Sequence, residues 1–471
     1  MRAGFRSLDR EVALDLEVRG ELPDWLSGTL VRNGPARFEA GERKFRHWFD
    51  GQAMLHRFAF AAGKVAYRNR YLDTPALRST DDGRIGFGEF ATDPCRSIFG
   101  RFFTRPRLTP NANVNVLLDD AEGDWALTET PIAVEFDPDT LATVGLSKRD
   151  HAVPGQAHAI PGQVTTAHPH VAPVTGDLVN YLLQFGRRSV YRVYRQRNHV
   201  REVLAELPTD RPGYLHSFAV TERHVVLVVF PLVVNPLSFL LRGKPFIENY
   251  RWRPELGTRF VVFSQEDGAL VADHRTDAFF AFHHINAYDA EGRVVVDICS
   301  YPDAEVVDAL YLDRLRGDTE LPLPFPTRYE VDLTSGAIHS RRLSEEAMEL
   351  PRVSYRAHNG REYRYAYGVS AHGGSRHDFF NQLVKVDVRS GRTLRWHEAG
   401  RYPGEPVFVA APDAAREDDG VVLSVVLDGA TERSCLLVLD AGSFAELARA
   451  EVPHAIPFGF HGQFTSRSYP Q

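Results

Sequence analysis

The chain has 471 residues and a net charge of -7, with 55 basic and 62 acidic side chains interspersed, so it lacks the basic stripe that a nucleic-acid surface requires. Its three cysteines, Cys95, Cys299 and Cys435, lie far apart with no CxxC pair, which excludes a disulfide scaffold and a thiolate metal site and fits a reducing compartment. Length alone suggests about two or three folding units, but β-propellers run long as one domain and no sharp linker divides this chain.

Met1 to Arg6, followed by Asp9, Arg10 and Glu11, has no apolar signal-peptide core, so the expected location is cytoplasmic. The first hairpin signal is Ala133 to Thr140, where apolar and polar residues alternate and then reach Asp, Pro and Thr. Two histidine-bearing segments follow, Thr166 to His170 and Tyr214 to Phe218. Val225 to Leu241 then runs VVLVVFPLVVNPLSFLL, but Pro231, Asn235 and Pro236 would break a spanning helix. It divides into a buried strand, Val225 to Phe230, and an apolar loop or short helix with Leu237, Phe239, Leu240 and Leu241 ahead of Arg242 and Lys244. Two readings of that second part stay open, a peripheral membrane contact and packing onto the protein's own core, and either makes it the candidate greasy entrance.

Phe282 to Tyr288 brings a third histidine segment, with a hairpin from Ala287 through Gly292 to Asp297. Val306 to Leu315 and Glu345 to Leu350 are the clearest helical stretches, and both are short; Leu321 to Pro326 and His372 to His377 read as loops. Further hairpins are expected at Tyr329 to Gly336, Val384 to Gly391 and Leu436 to Gly442, before a last histidine in Phe460-His461-Gly462. Dispersed hairpins with 29 Pro and 36 Gly argue for an all-β architecture, and repeated antiparallel units of this kind close into a propeller. The repeats diverge too far for blades to be counted.

On a propeller axis, side chains distant in sequence converge, so one imidazole from each histidine segment would make an all-nitrogen metal site. Structural zinc sites normally contain cysteine and catalytic ones keep three protein ligands, so four histidines favour iron, with two coordination positions left open. Strand parity puts His168 and His170 on one face and His283 and His284 on opposite faces, which leaves the choice within the first pair open. The chain holds 19 histidines, most of which must be surface or core residues.

LVRNGP at Leu30 to Pro35, HWFDGQAMLH at His47 to His56, Thr166 to His170, Phe282 to Tyr288, EPVFV at Glu405 to Val409, EDDGVVLS at Glu417 to Ser424 and GFHG at Gly459 to Gly462 together resemble the carotenoid cleavage oxygenase family. The resemblance runs in order from about Gly20 to the C-terminus. DPCRSIF at Asp93 to Phe99 is similar to the branch that holds the β-carotene oxygenases and the vertebrate retinoid isomerohydrolase.

This resemblance implies one seven-bladed β-propeller domain over residues 1–471, with a helical and loop cap over an axial iron(II). Its ligands would be His168, His216, His283 and His461, with His170 and His284 in supporting or packing roles. Glu129, Glu349 and Glu405 would receive the outer N–H of three of them, which fixes the tautomer and makes the ligand more basic. Phe90, Tyr214 and Tyr301 would line a tunnel for a carotenoid or apocarotenoid, whose conjugated double bond is cleaved with dioxygen to two carbonyl products. Stilbene-cleaving relatives carry a lysine before the first glutamate, paired with a tyrosine; here Thr128 stands there and the tyrosine region reads Phe99-Gly100-Arg101-Phe102, which disfavours phenolic stilbenes. The motif around Cys95 resembles a position that is palmitoylated in the vertebrate isomerohydrolase, against the simpler reading of a buried or merely exposed thiol. Rival expectations are a stilbenoid oxygenase, a retinoid isomerohydrolase that uses no dioxygen, and a non-catalytic carotenoid-binding propeller.

Overall fold

The computed structural model describes residues 1–94, 107–119, 122–147, 160–241, 243–317 and 320–467, with only the backbone of Leu240 and Leu241. Cys95, Phe99 and Phe102 lie outside the described residues. The fold is all-β and propeller-like. Five sheets of four or five antiparallel strands follow one another along residues 115–146, 164–209, 219–276, 284–342 and 349–397. A sixth sheet of ten strands joins the two ends of the chain. In it, strand Ala13–Gly20 pairs through its first half with Lys64–Tyr71 and through its second half with Glu446–Val452. The last strand, Gly462–Thr465, lies against Gly28–Arg37 and so brings the C-terminal histidine segment back to the N-terminal sheet.

One turn recurs at the expected hairpins. Asp137, Asp332 and Asp387 each accept backbone N–H groups two and three residues on through Oδ1, and Asp440 accepts from Ser443. The residue four positions after the aspartate donates its N–H back to the aspartate carbonyl and holds a positive φ: Leu141, Gly336, Gly391 and Phe444. An Asx turn followed by a left-handed residue reverses the strand without a longer loop. The pairings that result are Val134–Phe136 with Thr143–Leu146, Phe325–Asp332 with Ile338–Arg342, Gln382–Asp387 with Thr393–His397, and Arg433–Asp440 with Glu446–Val452. The hairpin beginning at Ala287 is present as His284–Ala290 with Arg293–Ser300.

The apolar run forms the strand His224–Val229 and, after the prolines, a single helical turn, Leu237–Leu241. Val306 to Leu315 breaks into the helices Glu305–Ala309 and Leu312–Leu315. Glu345 to Leu350 is not helical, which corrects the sequence reading. The segment instead enters the strand Glu349–Arg352, with Glu349 opposite Val369, so long-range sheet pairing overrides the local helical pattern.

Candidate metal centre and cavity

Each of the four histidine segments stands just ahead of a strand. His283 precedes His284–Ala290 and His461 precedes Gly462–Thr465. His216 lies three residues before Ala219–Val220, and His168 occupies the break between Val164–Thr165 and His170–Val171. Strand parity therefore does not apply to His168 and His170. Thr166 fixes that break: its Oγ1 accepts the N–H of His168 at 3.0 Å and donates to the carbonyl of His216.

His168, His216, His283 and His461 each offer one ring nitrogen, and the four nitrogens lie within 4.8 Å of one another. The Nε2 atoms of His168 and His216 are 3.1 Å apart, as are those of His283 and His461. The outer Nδ1 atoms meet carboxylates: His216 with Glu129 at 2.6 Å, His283 with Glu349 at 2.6 Å, and His461 with Glu405 at 2.7 Å. Among the described residues His168 has no carboxylate partner.

A histidine that donates Nδ1–H to a carboxylate carries its lone pair on Nε2. His283 and His461 therefore turn acceptor against acceptor at hydrogen-bond distance, an arrangement that a cation between them resolves. Burial, reinforced by the neighbouring imidazoles, pushes His168 and His461 well below the ordinary histidine range, and burial also lowers His216 against the opposing pull of Glu129. Neutral imidazoles facing one point are a donor set for a borderline metal such as iron, copper, nickel or zinc.

The three carboxylates differ in company. Glu129 also accepts from the Tyr214 hydroxyl at 2.7 Å, and Glu349 accepts from Tyr301 at 3.2 Å and from the backbone N–H of Leu350 at 2.6 Å. Burial first, and then the adjacent carboxylates, push both tyrosines well above the ordinary phenol range, so they remain donors. Leu350 takes φ 47 at the register irregularity between Glu349 and Arg352, a left-handed conformation that costs a non-glycine residue roughly 1–3 kcal/mol.

A cavity of about 560 Å³ opens onto His216, His283 and His461. Trp48, Phe49, Phe90, Phe282, Phe379 and Phe460 give it broad aromatic walls, and Thr128, Glu129, Tyr301 and Glu349 also border it. The short helices Leu237–Leu241 and Glu305–Ala309 contribute Leu237, Phe239 and Val306 to the wall. Leu237 is 59% exposed, while Phe239 is half-buried against Phe185 and Phe246. The expected greasy entrance is thus part of the cavity wall. No described helix is long and apolar enough to cross a membrane.

Of the expected tunnel residues, Phe90 and Tyr301 border the cavity, as does the substrate-selecting position Thr128, whereas Tyr214 sits behind the wall with its hydroxyl on Glu129. His170 and His284 stay outside the histidine cluster. The ring of His170 meets Tyr355 and the Phe218 carbonyl, each at 3.1 Å, and His284 meets Ser217 at 2.7 Å. The sequence reading missed Phe49, Phe282 and Phe460 as wall residues and Arg32 and Arg352 as partners of Glu405, although all but Arg352 lie inside motifs already quoted.

The family model described as retinal pigment epithelial membrane protein matches residues 5–466. A carotenoid isomerooxygenase of Galleria mellonella is 34% identical, with 98% of this chain and 96% of that protein covered. The mitochondrial carotenoid-cleaving dioxygenase of Homo sapiens is 33% identical, over 96% of this chain and 88% of that one. Among solved structures, cobalt-substituted apocarotenoid oxygenase of Synechocystis superposes with a TM-score of 0.87 at 26% identity, covering 98% of each chain. A chimera of that oxygenase with the retinal pigment epithelial protein gives 0.88 at 26% identity and the same coverage.

Proposed function

The chain belongs to the carotenoid oxygenase family that includes the retinal pigment epithelial membrane protein, and on that premise we propose that it is a non-haem iron(II) dioxygenase cleaving a conjugated double bond of a carotenoid or apocarotenoid to carbonyl products. The observation that carries this reading is the meeting of four imidazoles, three of them braced by carboxylates, beside an aromatic-walled cavity that three of them line. His168, His216, His283 and His461 would hold the iron, and Glu129, Glu349 and Glu405 would orient three of them. When bound, the iron supplies the one-electron chemistry with dioxygen that an organic side chain lacks.

The chain's own part is to bind, orient and keep dry. Flat walls from Phe49, Phe90, Phe282 and Phe460 suit a rigid polyene, and a cavity of about 560 Å³ falls among ordinary small-molecule sites, roughly 300–1,000 Å³. Holding one double bond near the imidazole cluster fixes which bond reacts. Thr128 on the cavity wall offers no cation for a phenolate, which supports a polyene over a stilbenoid. The strand Ala13–Gly20, shared between two halves of the ten-stranded sheet, supports counting that sheet as two blades and the propeller as seven, in one domain.

The test is aerobic incubation of the iron-loaded protein with β-carotene, apocarotenals and resveratrol, followed by product mass analysis. Aldehydes from a polyene are expected. Turnover of resveratrol alone would favour the stilbenoid reading, and binding without conversion would favour a carrier. The isomerooxygenase name of one relative supports a second reading, cleavage coupled to a change of double-bond geometry, which chromatography of the same products separates.

A further inference from the structure

Glu405 differs from its two counterparts in a way that the histidine cluster alone does not require. Its Oε1 accepts from His461 Nδ1 at 2.7 Å and from Arg352 Nε at 2.8 Å. Its Oε2 accepts from Arg32 Nη1 at 2.7 Å and from the N–H of Gly462 at 2.9 Å. The carboxylate is fully buried, Arg32 is 5% exposed, and Arg352 reaches in from a half-exposed position. Glu129 and Glu349, by contrast, meet neutral tyrosine hydroxyls and no guanidinium among the described residues.

Three carboxylates stand around the four imidazoles, and the two guanidiniums on Glu405 bring cationic charge to one of the three alone. A carboxylate shared by two cations is also a poorer proton acceptor, so it draws less on the Nδ1–H of its histidine and leaves Nε2 a weaker donor.

We propose that Arg32 and Arg352 are positioning residues that set the charge of the metal centre through Glu405, making His461 the weakest donor of the three carboxylate-bound histidines and holding the metal in its divalent state. The inference rests on the metal-centre reading above. Arg32 also donates to the carbonyls of Glu405 and Phe460, so its removal would disturb the backbone. Arg352 is therefore the residue to vary, although it also donates to the Gly462 carbonyl.

Arg352→Gln removes the charge and Arg352→Lys keeps it, while both lose the planar fork. Each variant and the parent are loaded anaerobically with iron(II) and poised with a redox mediator, so that one electron leaves each oxidised iron and enters the mediator. The ferric fraction is read by electron paramagnetic resonance. At fixed potential the ferric-to-ferrous ratio should rise roughly tenfold in Arg352→Gln, as expected when one partly screened charge is removed from behind a ligand's carboxylate, and stay near the parent value in Arg352→Lys. In parallel, cobalt(II) titration should show tighter binding to Arg352→Gln than to Arg352→Lys, because a cation has left the neighbourhood of a dication. Equal ratios and equal cobalt affinities in the two variants would reduce Arg352 to a structural brace and overturn the proposal. A parent that holds neither iron nor cobalt would overturn the metal-centre reading itself, and this inference with it.

Discussion

His283 is the residue on which the site depends most directly, because it joins the Nε2 cluster to Glu349 and, through Glu349, to Tyr301. Replacing it with alanine removes one of the four proposed ligands and leaves a buried carboxylate without its imidazole. Iron content by elemental analysis should fall from stoichiometric to near background in His283→Ala, and normal content would refute the ligand assignment. Glu89, on the cavity wall, is a second informative residue. Burial, followed by the nearby Asp50 charge, pushes its carboxyl up to about 8, although Thr109 donates to it at 2.8 Å. The folded state thus keeps a proton that the unfolded state releases near the ordinary carboxyl range, so this contribution to stability is present at low pH and is lost as pH rises towards 8. Between pH 6 and 7.5, urea unfolding of the metal-free parent should lose up to about 1.4 kcal/mol per pH unit relative to Glu89→Gln. Parallel pH profiles for the two proteins would show that Glu89 titrates normally.

At the scale of elements, the recurring Asx turn sets two forces against each other. Gly336 and Gly391 take the left-handed position at no steric cost, but Leu141 and Phe444 occupy it with φ 58 and 63. Both side chains are buried, so strain of about 1–2 kcal/mol is set against burial that is typically worth more, about 3–5 kcal/mol for a phenylalanine side chain. Phe444→Gly should therefore destabilise the protein by about 2–3 kcal/mol in urea unfolding despite relieving the backbone; a neutral or stabilising result would mean that strain dominates there. The hairpins themselves were legible from sequence because alternation and the aspartate-led turn are local signals. The segment Glu345 to Leu350 was misread because its helical pattern is just as local, whereas the strand that replaces it depends on pairing with residue 369. The position of His168 in a strand break was invisible for the same reason: Thr166 bonds to the backbone of His216, fifty residues away.

For the whole molecule, closure explains why a metal site could be suspected but not built from sequence. His461 reaches the cluster only because Gly462–Thr465 pairs with Gly28–Arg37, and Arg32 on that same strand reaches Glu405. The four histidines and three glutamates were legible through family motifs. The cavity walls and the second role of Tyr214 were not, because they depend on which side chains face inward after five sheets and a ten-stranded sheet have come together. The central claim is that this assembly spends dioxygen to cut a polyene. Its most direct test is the stoichiometry of oxygen uptake while iron-loaded protein converts an apocarotenal. The account predicts one dioxygen consumed per double bond cleaved, two carbonyl products, and no uptake by His283→Ala. Conversion without oxygen uptake, or tight binding of the polyene with neither uptake nor products, would contradict it.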